Sequence, residues 1–176
     1  MTEAVPAVAP DSAEQVVTEL YQRHRLRLIG TALVLTGDRP TAEDVVQEAF
    51  AGLYRAMPRL ADPDKALAYV RASVINGCRL VYRSRTRSLR LHRQLHESEP
   101  VVWSAESAVL AREESRLALR AVARLRGRAR EVLAMRYLLD MSDGEIAAAL
   151  GVSKGTVSST ASRALAALAR TLKERS

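Results

Sequence analysis

Between Lys154 and Arg163 the sequence sets Lys154, Thr156, Ser158, Ser159, Ser162 and Arg163 around Val157, Ala161 and Ala164, which recur at helical spacing. A helix with that pattern buries a narrow apolar stripe and turns outward a face of short hydroxyls and cations without carboxylates. Hydroxyls donate to or accept from base edges, and Lys and Arg reach phosphates or the acceptor edge of guanine, which is the chemistry of a helix in a DNA major groove. A second group, Arg79, Arg83, Arg87 and Arg90, repeats at near-helical spacing with Arg85 and Arg93 alongside, and no acidic residue interrupts from Arg71 to Gln94. A cationic stripe of that length suits a nucleic-acid backbone. Asn76 stands just ahead of it, and its amide can both donate to and accept from an unstacked base. Tyr69 and Tyr82 are stacking candidates, with core packing favoured for at least one of them. The third group is acidic: Asp44, Gln47 and Glu48 fall at i, i+3 and i+4, opposite the helical stripe of Val45, Ala49 and Leu53. Such a patch is either a solvated helix face or a docking face for a protein.

None of these groups is a catalytic set. The sequence shows no activated nucleophile and no paired catalytic carboxylates, and Cys78 is its only cysteine, which excludes an internal disulfide and a cysteine-based zinc knuckle. His92 and His96 share helical spacing, but no further ligand completes a metal set, so no cofactor is expected. With 27 Lys and Arg against 20 Asp and Glu the formal charge is +7, which favours a polyanionic partner. The longest apolar runs are too short to cross a bilayer and residues 1–12 lack the form of a signal peptide, so a cytoplasmic protein is expected.

The elements that must position these residues are all helical. Aromatic residues make up 4% of the chain, while Ala, Leu and Arg recur throughout and strand-like alternation is missing. After an unstructured lead over residues 1–12, a helix is predicted from Ser12 to Thr36 on Val16, Leu20, Leu28, Ala32 and Leu35, stopped by Gly37-Asp38. Thr41 and Asp44 read as a capping box opening a second helix, whose stripe is Val45, Val46, Ala49, Phe50, Leu53, Tyr54 and Met57 up to Pro58. A third helix is predicted from Asp62-Pro63 through Leu67, Val70, Val74 and Val81 into the arginine stripe. Residues 91–108, with Glu97, Glu99, Pro100 and Glu106, read as a linker. Residues 13–90 and 109–176 therefore read as two small helical domains.

Within the second domain, Ser142 and Glu145 make a capping box, and Ile146, Ala147 and Leu150 bury the first of two helices. Gly151 ends it, Val152 plugs the corner, and Ser153 caps the helix that carries Lys154 to Arg163, with Val157, Ala161, Ala164, Leu165 and Leu168 inside. This is a helix-turn-helix, for which an ordinary αα-corner is the plainer alternative.

The stretch Leu125-Arg-Gly-Arg-Ala-Arg-Glu-Val-Leu-Ala-Met-Arg-Tyr137 together with residues 142–168 resembles region 4 of the sigma factors, which reads the promoter near position −35. Leu35-Thr-Gly-Asp-Arg-Pro-Thr-Ala-Glu-Asp-Val-Val-Gln-Glu-Ala-Phe-Ala-Gly-Leu-Tyr54 resembles region 2 of the extracytoplasmic-function sigma factors. Ala68-Tyr-Val-Arg-Ala-Ser-Val-Ile-Asn-Gly-Cys-Arg79 resembles the promoter-melting segment of the same region. The resemblance implies that Asp44, Gln47 and Glu48 bind the clamp of the largest subunit of core RNA polymerase. It implies that Asn76, Arg79, Arg83 and Arg87 meet the separated −10 strand, and that Lys154, Thr156, Ser158, Ser159, Ser162 and Arg163 face −35 DNA. The acidic linker is either a nucleic-acid mimic threading toward the polymerase cleft, as the family implies, or a plain tether. An anti-sigma factor is a common partner in the family, and no residue here specifies one. Ser158, Gly127, Ala129 and Leu80 depart from common family choices, so base preferences do not carry over. The other reading is a dimeric helix-turn-helix regulator acting without core polymerase, which leaves the acidic patch and the arginine stripe unexplained.

Overall fold

The computed structural model describes residues 10–60, 62–91 and 121–173, and every regular element in them is helical. Helix α1 (Pro10–Thr36) starts two residues before the expected Ser12, with Pro10 at the first helical position, where its fixed φ suits the helix and its missing N–H costs nothing. Residues 1–9 of the expected lead lie outside the described residues. Gly37 closes α1 at φ 87, and α2 (Arg39–Ala56) follows at once. The cap of α2 is Asp38, whose carboxylate accepts from the Thr41 N–H at 3.0 Å, and not the expected Thr41. The early left-handed turn at Gly37 places Asp38 in extended backbone one step before Arg39-Pro40, so the helix is already under way at Thr41.

Ala42, Val46, Ala49, Phe50, Leu53 and Met57 form the buried stripe of α2, and Phe50 meets Tyr21 of α1 edge to face at 5.1 Å. Tyr54, expected in that stripe, is exposed, because a residue eight beyond Val46 has rotated off the apolar seam and onto the side of Gln47. Pro58 ends the helix in a 3-10 turn over Met57–Arg59, and a second over Pro63–Lys65 leads into α3 (Ala66–Leu91). Helices α1, α2 and α3 pack on one another around Leu28, Val70, Val74 and Ile75.

The closest approach of α2 and α3 is made at Gly77, where a Cβ would stand 2.8 Å from Val45 Cγ1. Val is stiff at χ1 and cannot swing clear. Gly77→Ala is therefore expected to lower stability by about 1–2 kcal/mol even though Ala is the better helix former. A urea midpoint equal to or above that of the wild type would show that the helices part without loss.

In the second half, α4 (Gly127–Leu133) widens into a π-helical turn at Ala134–Leu138, then α5 (Asp143–Leu150) and α6 (Lys154–Lys173) form the expected corner. The π turn inserts one extra residue, and Asp140 at φ 50 closes it with the Met141 N–H returning to the Met135 carbonyl at 3.1 Å. The widening lets Leu133, Met135, Leu139 and Met141 all face the core formed with Ile146, Leu150, Val157 and Ala161. The expected linker residues 92–108, with Trp103, and the start of the second domain to residue 120 lie outside the described residues. Among the described residues no helix is long and apolar enough to cross a membrane.

Candidate nucleic-acid interface

The helix-turn-helix is locked at both ends of α5. Glu145 Oε2 accepts from the Ser142 N–H at 2.7 Å and from its hydroxyl at 2.7 Å, while the Glu145 N–H donates back to Ser142 Oγ at 3.3 Å. Hydrogen bonds from the Ser142 backbone and hydroxyl hold the Glu145 carboxyl below its usual range, with Arg71 adding to them. At the other end Gly151, at φ 65, donates to Ala148 O at 3.4 Å and Val152 donates to Ala147 O at 3.0 Å. That pair of bonds is the left-handed helix close the sequence leads one to expect. Arg136 pairs with Asp143 and fixes the start of α5 to the π turn.

Ser153 caps α6, its Oγ accepting from the Thr156 N–H at 3.1 Å and lying 2.9 Å from the Thr156 hydroxyl. Val157, Ala161 and Ala164 are buried, and Lys154, Thr156, Ser158, Ser159, Ser162 and Arg163 are all exposed. The six expected residues thus share the free side of one helix. Leu165, expected inside, is exposed; it follows the buried Ala164 by one residue and so points about 100° away from it. Arg163 Nε donates to Ser159 O at 3.2 Å, and the Lys154 stem lies over Gly144, its Cε 3.2 Å from where a Cβ there would stand.

On the first half, Asp44, Gln47 and Glu48 are exposed together on α2, with Tyr54 two and three turns further along the same side. Glu48 accepts from Arg55 Nη2 at 2.6 Å in an exposed pair. On α3, Asn76, Leu80 and Arg83 form one exposed face. Tyr82 is exposed, while Tyr69 packs against the core with its hydroxyl near Gly52. The side chains of Arg87 and Arg90, and all of Arg93, lie outside the described residues.

The arginine stripe is divided in its duties. Arg85 donates to the Thr36 carbonyl at 2.6 Å and to Thr41 Oγ1 at 3.1 Å and pairs with Asp38, strapping the turn between α1 and α2. Burial by itself would raise the Asp38 carboxyl, but the Arg85 and Thr41 hydrogen bonds outweigh it and hold the group below its usual range. Arg79 turns to the other half of the chain, its Nη1 donating to Ala149 O at 3.1 Å and its Nε 3.8 Å from Glu131 Oε1. Burial pushes the neighbouring Cys78 thiol up to about 12, so it serves as packing and not as a nucleophile. Arg27 of α1 was not singled out by the sequence. It donates to the Leu138 carbonyl and pairs with Asp140 at 2.5 Å, a contact between residues too far apart in sequence to leave a local signal.

Comparison with known proteins bears directly on these faces. A family model described as Sigma-70 region 2 matches residues 20–88, and one described as Sigma-70, region 4 matches residues 115–168. The chain is 34% identical over 151 residues to the RNA polymerase sigma-E factor of Streptomyces coelicolor, covering 85% of this chain and 82% of that protein. It is 31% identical over 171 residues to the ECF RNA polymerase sigma factor SigL of Mycobacterium tuberculosis, covering 96% of this chain and 94% of that one. This chain belongs to the extracytoplasmic-function sigma factors. Among solved structures, the sigma factor resembles CnrH as seen in its complex with the cytosolic domain of CnrY, with a TM-score of 0.62 and 27% identity over 93% of this chain and 96% of that one. As a sigma factor it binds core RNA polymerase and promoter DNA and directs transcription initiation. Its family is a non-catalytic part of the polymerase, and the reading as a dimeric regulator without core polymerase is not favoured. Among the described residues no cluster of His, Cys, Asp and Glu could hold a metal ion.

Proposed function

We propose that the sigma factor reads −35 DNA as duplex through Lys154, Thr156, Ser158, Ser159, Ser162 and Arg163, and the opened −10 strand through Asn76, Arg79, Arg83 and Arg87. Asp44, Gln47 and Glu48 dock on the clamp of the polymerase. The observation that carries this reading is the exposed, carboxylate-free face of α6 on a corner whose helix ends are all capped, so the face is presented rigidly. Residues 13–90 serve as region 2, 91–108 as the linker and 109–176 as region 4. The protein works in the cytoplasm and supplies specificity, while the polymerase does the chemistry. A partner that occludes the promoter-reading faces, an anti-sigma factor, fits the likeness to CnrH held by the cytosolic domain of CnrY.

The test is transcription in vitro, adding purified protein to core polymerase on a pool of genomic promoter fragments and sequencing transcript 5′ ends. Discrete start sites sharing one −35 and one −10 motif are expected. Initiation that does not depend on the added protein, with duplex binding to a palindrome instead, would overturn the reading.

A further inference from the structure

The carboxyl ends of two region 4 helices are finished by arginines from region 2. A helix leaves its last carbonyls without intrahelical donors and carries partial negative charge there, so a cation supplied from outside is a fitting cap. At the end of α5, Gly151 and Val152 satisfy Ala148 and Ala147, and Arg79 of α3 donates to the next carbonyl, Ala149. At the end of the π turn, Arg27 of α1 donates to the Leu138 carbonyl. Each arginine also has a carboxylate of region 4 beside it: Glu131 for Arg79 and Asp140 for Arg27. Leu35, Ile75, Cys78 and Tyr82 face Gly127, Arg130 and Glu131 across a small cleft between the two halves.

We infer that Arg27 and Arg79 form a two-point latch that holds regions 2 and 4 of the free sigma factor in a closed arrangement, withholding Arg79 from DNA until the regions separate. The inference rests on the proposed role of Arg79 in reading the −10 strand. The exposed face of α6 is not covered by the latch, so closure withholds −10 reading and leaves −35 reading open. Both pairs are partly solvent-exposed, so each is weak and screened by salt, as a contact that must open on the polymerase should be.

The test uses the full chain and the double variant Glu131→Gln with Asp140→Asn, which removes both carboxylates; Asn tolerates the left-handed backbone that Asp140 adopts. Small-angle scattering should show a larger radius of gyration for the variant than for the wild type at low salt. The wild type should approach the variant as salt rises to about 0.5 M, a readout that needs no substitution. Fluorescence anisotropy with a single-stranded −10 oligonucleotide should show about five- to tenfold tighter binding by the variant, the shift that loss of two weak pairs gives. Identical scattering by both proteins at every salt concentration would overturn the latch. Expansion of the variant with equal oligonucleotide affinity would overturn the withholding of Arg79. Expansion with no oligonucleotide binding by either protein would leave the latch standing and count against the −10 role of Arg79 instead.

Discussion

Glu48→Lys abolishes co-elution of the sigma factor with core polymerase in gel filtration while its thermal unfolding stays within a degree or two of the wild type. Glu48 stands exposed at mid-helix in α2, away from the buried stripe. Its one printed bond is the pair with Arg55, in which both side chains are more than half exposed, so the pair adds little to stability. On a docked surface the balance reverses. A lysine there sits beside Arg55 and presents two cations where the partner is built to receive a carboxylate, and loss of such a pair weakens association by about 100-fold or more. Retained binding at wild-type strength would remove the assignment of this face, and an equal fall in thermal stability would mark the residue as structural.

Arg163→Ala is expected to reduce transcription about tenfold from promoters with an intact −35 element and to leave −35-scrambled templates unchanged, since one good base or phosphate contact is worth that much. The side chain is exposed and makes only a bond along its own helix to the Ser159 carbonyl, and Ala is a good helix former, so the fold has little to lose. An equal reduction on both template sets would show that the residue acts through folding and not through promoter reading.

What was legible in the sequence was local. Ser142 and Glu145 three residues apart, Gly151 after an apolar turn and Ser153 before the next helix carry their own geometry, and each takes the expected role. The exposed faces of α2 and α6 followed from helical period alone. The cap of α2 misled because Thr41 and Asp44 have the spacing of a capping box, whereas the start of the helix is set by the turn at Gly37 and strapped by Arg85, which lies far along the chain. Tyr54 and Leu165 are apolar residues at the margin of a stripe, where one step of helical rotation decides between core and solvent. The partners of Arg79 and Arg27 are contacts between halves of the chain, and no spacing rule reports them. Whether each expected site residue meets polymerase or DNA depends on surfaces that belong to those partners.

The extra residue in the turn at Ala134–Leu138 also sets how this protein can change over generations. A wide turn is one residue of slack, and removing it by deletion would restore ordinary α-helical winding while rotating everything downstream by about 100°. Met141 and the corner that follows would then meet the wrong side of the core. Point substitutions on α6 can alter which promoters are chosen, but length changes at this hinge of register are closed to the lineage unless a second insertion restores the phase.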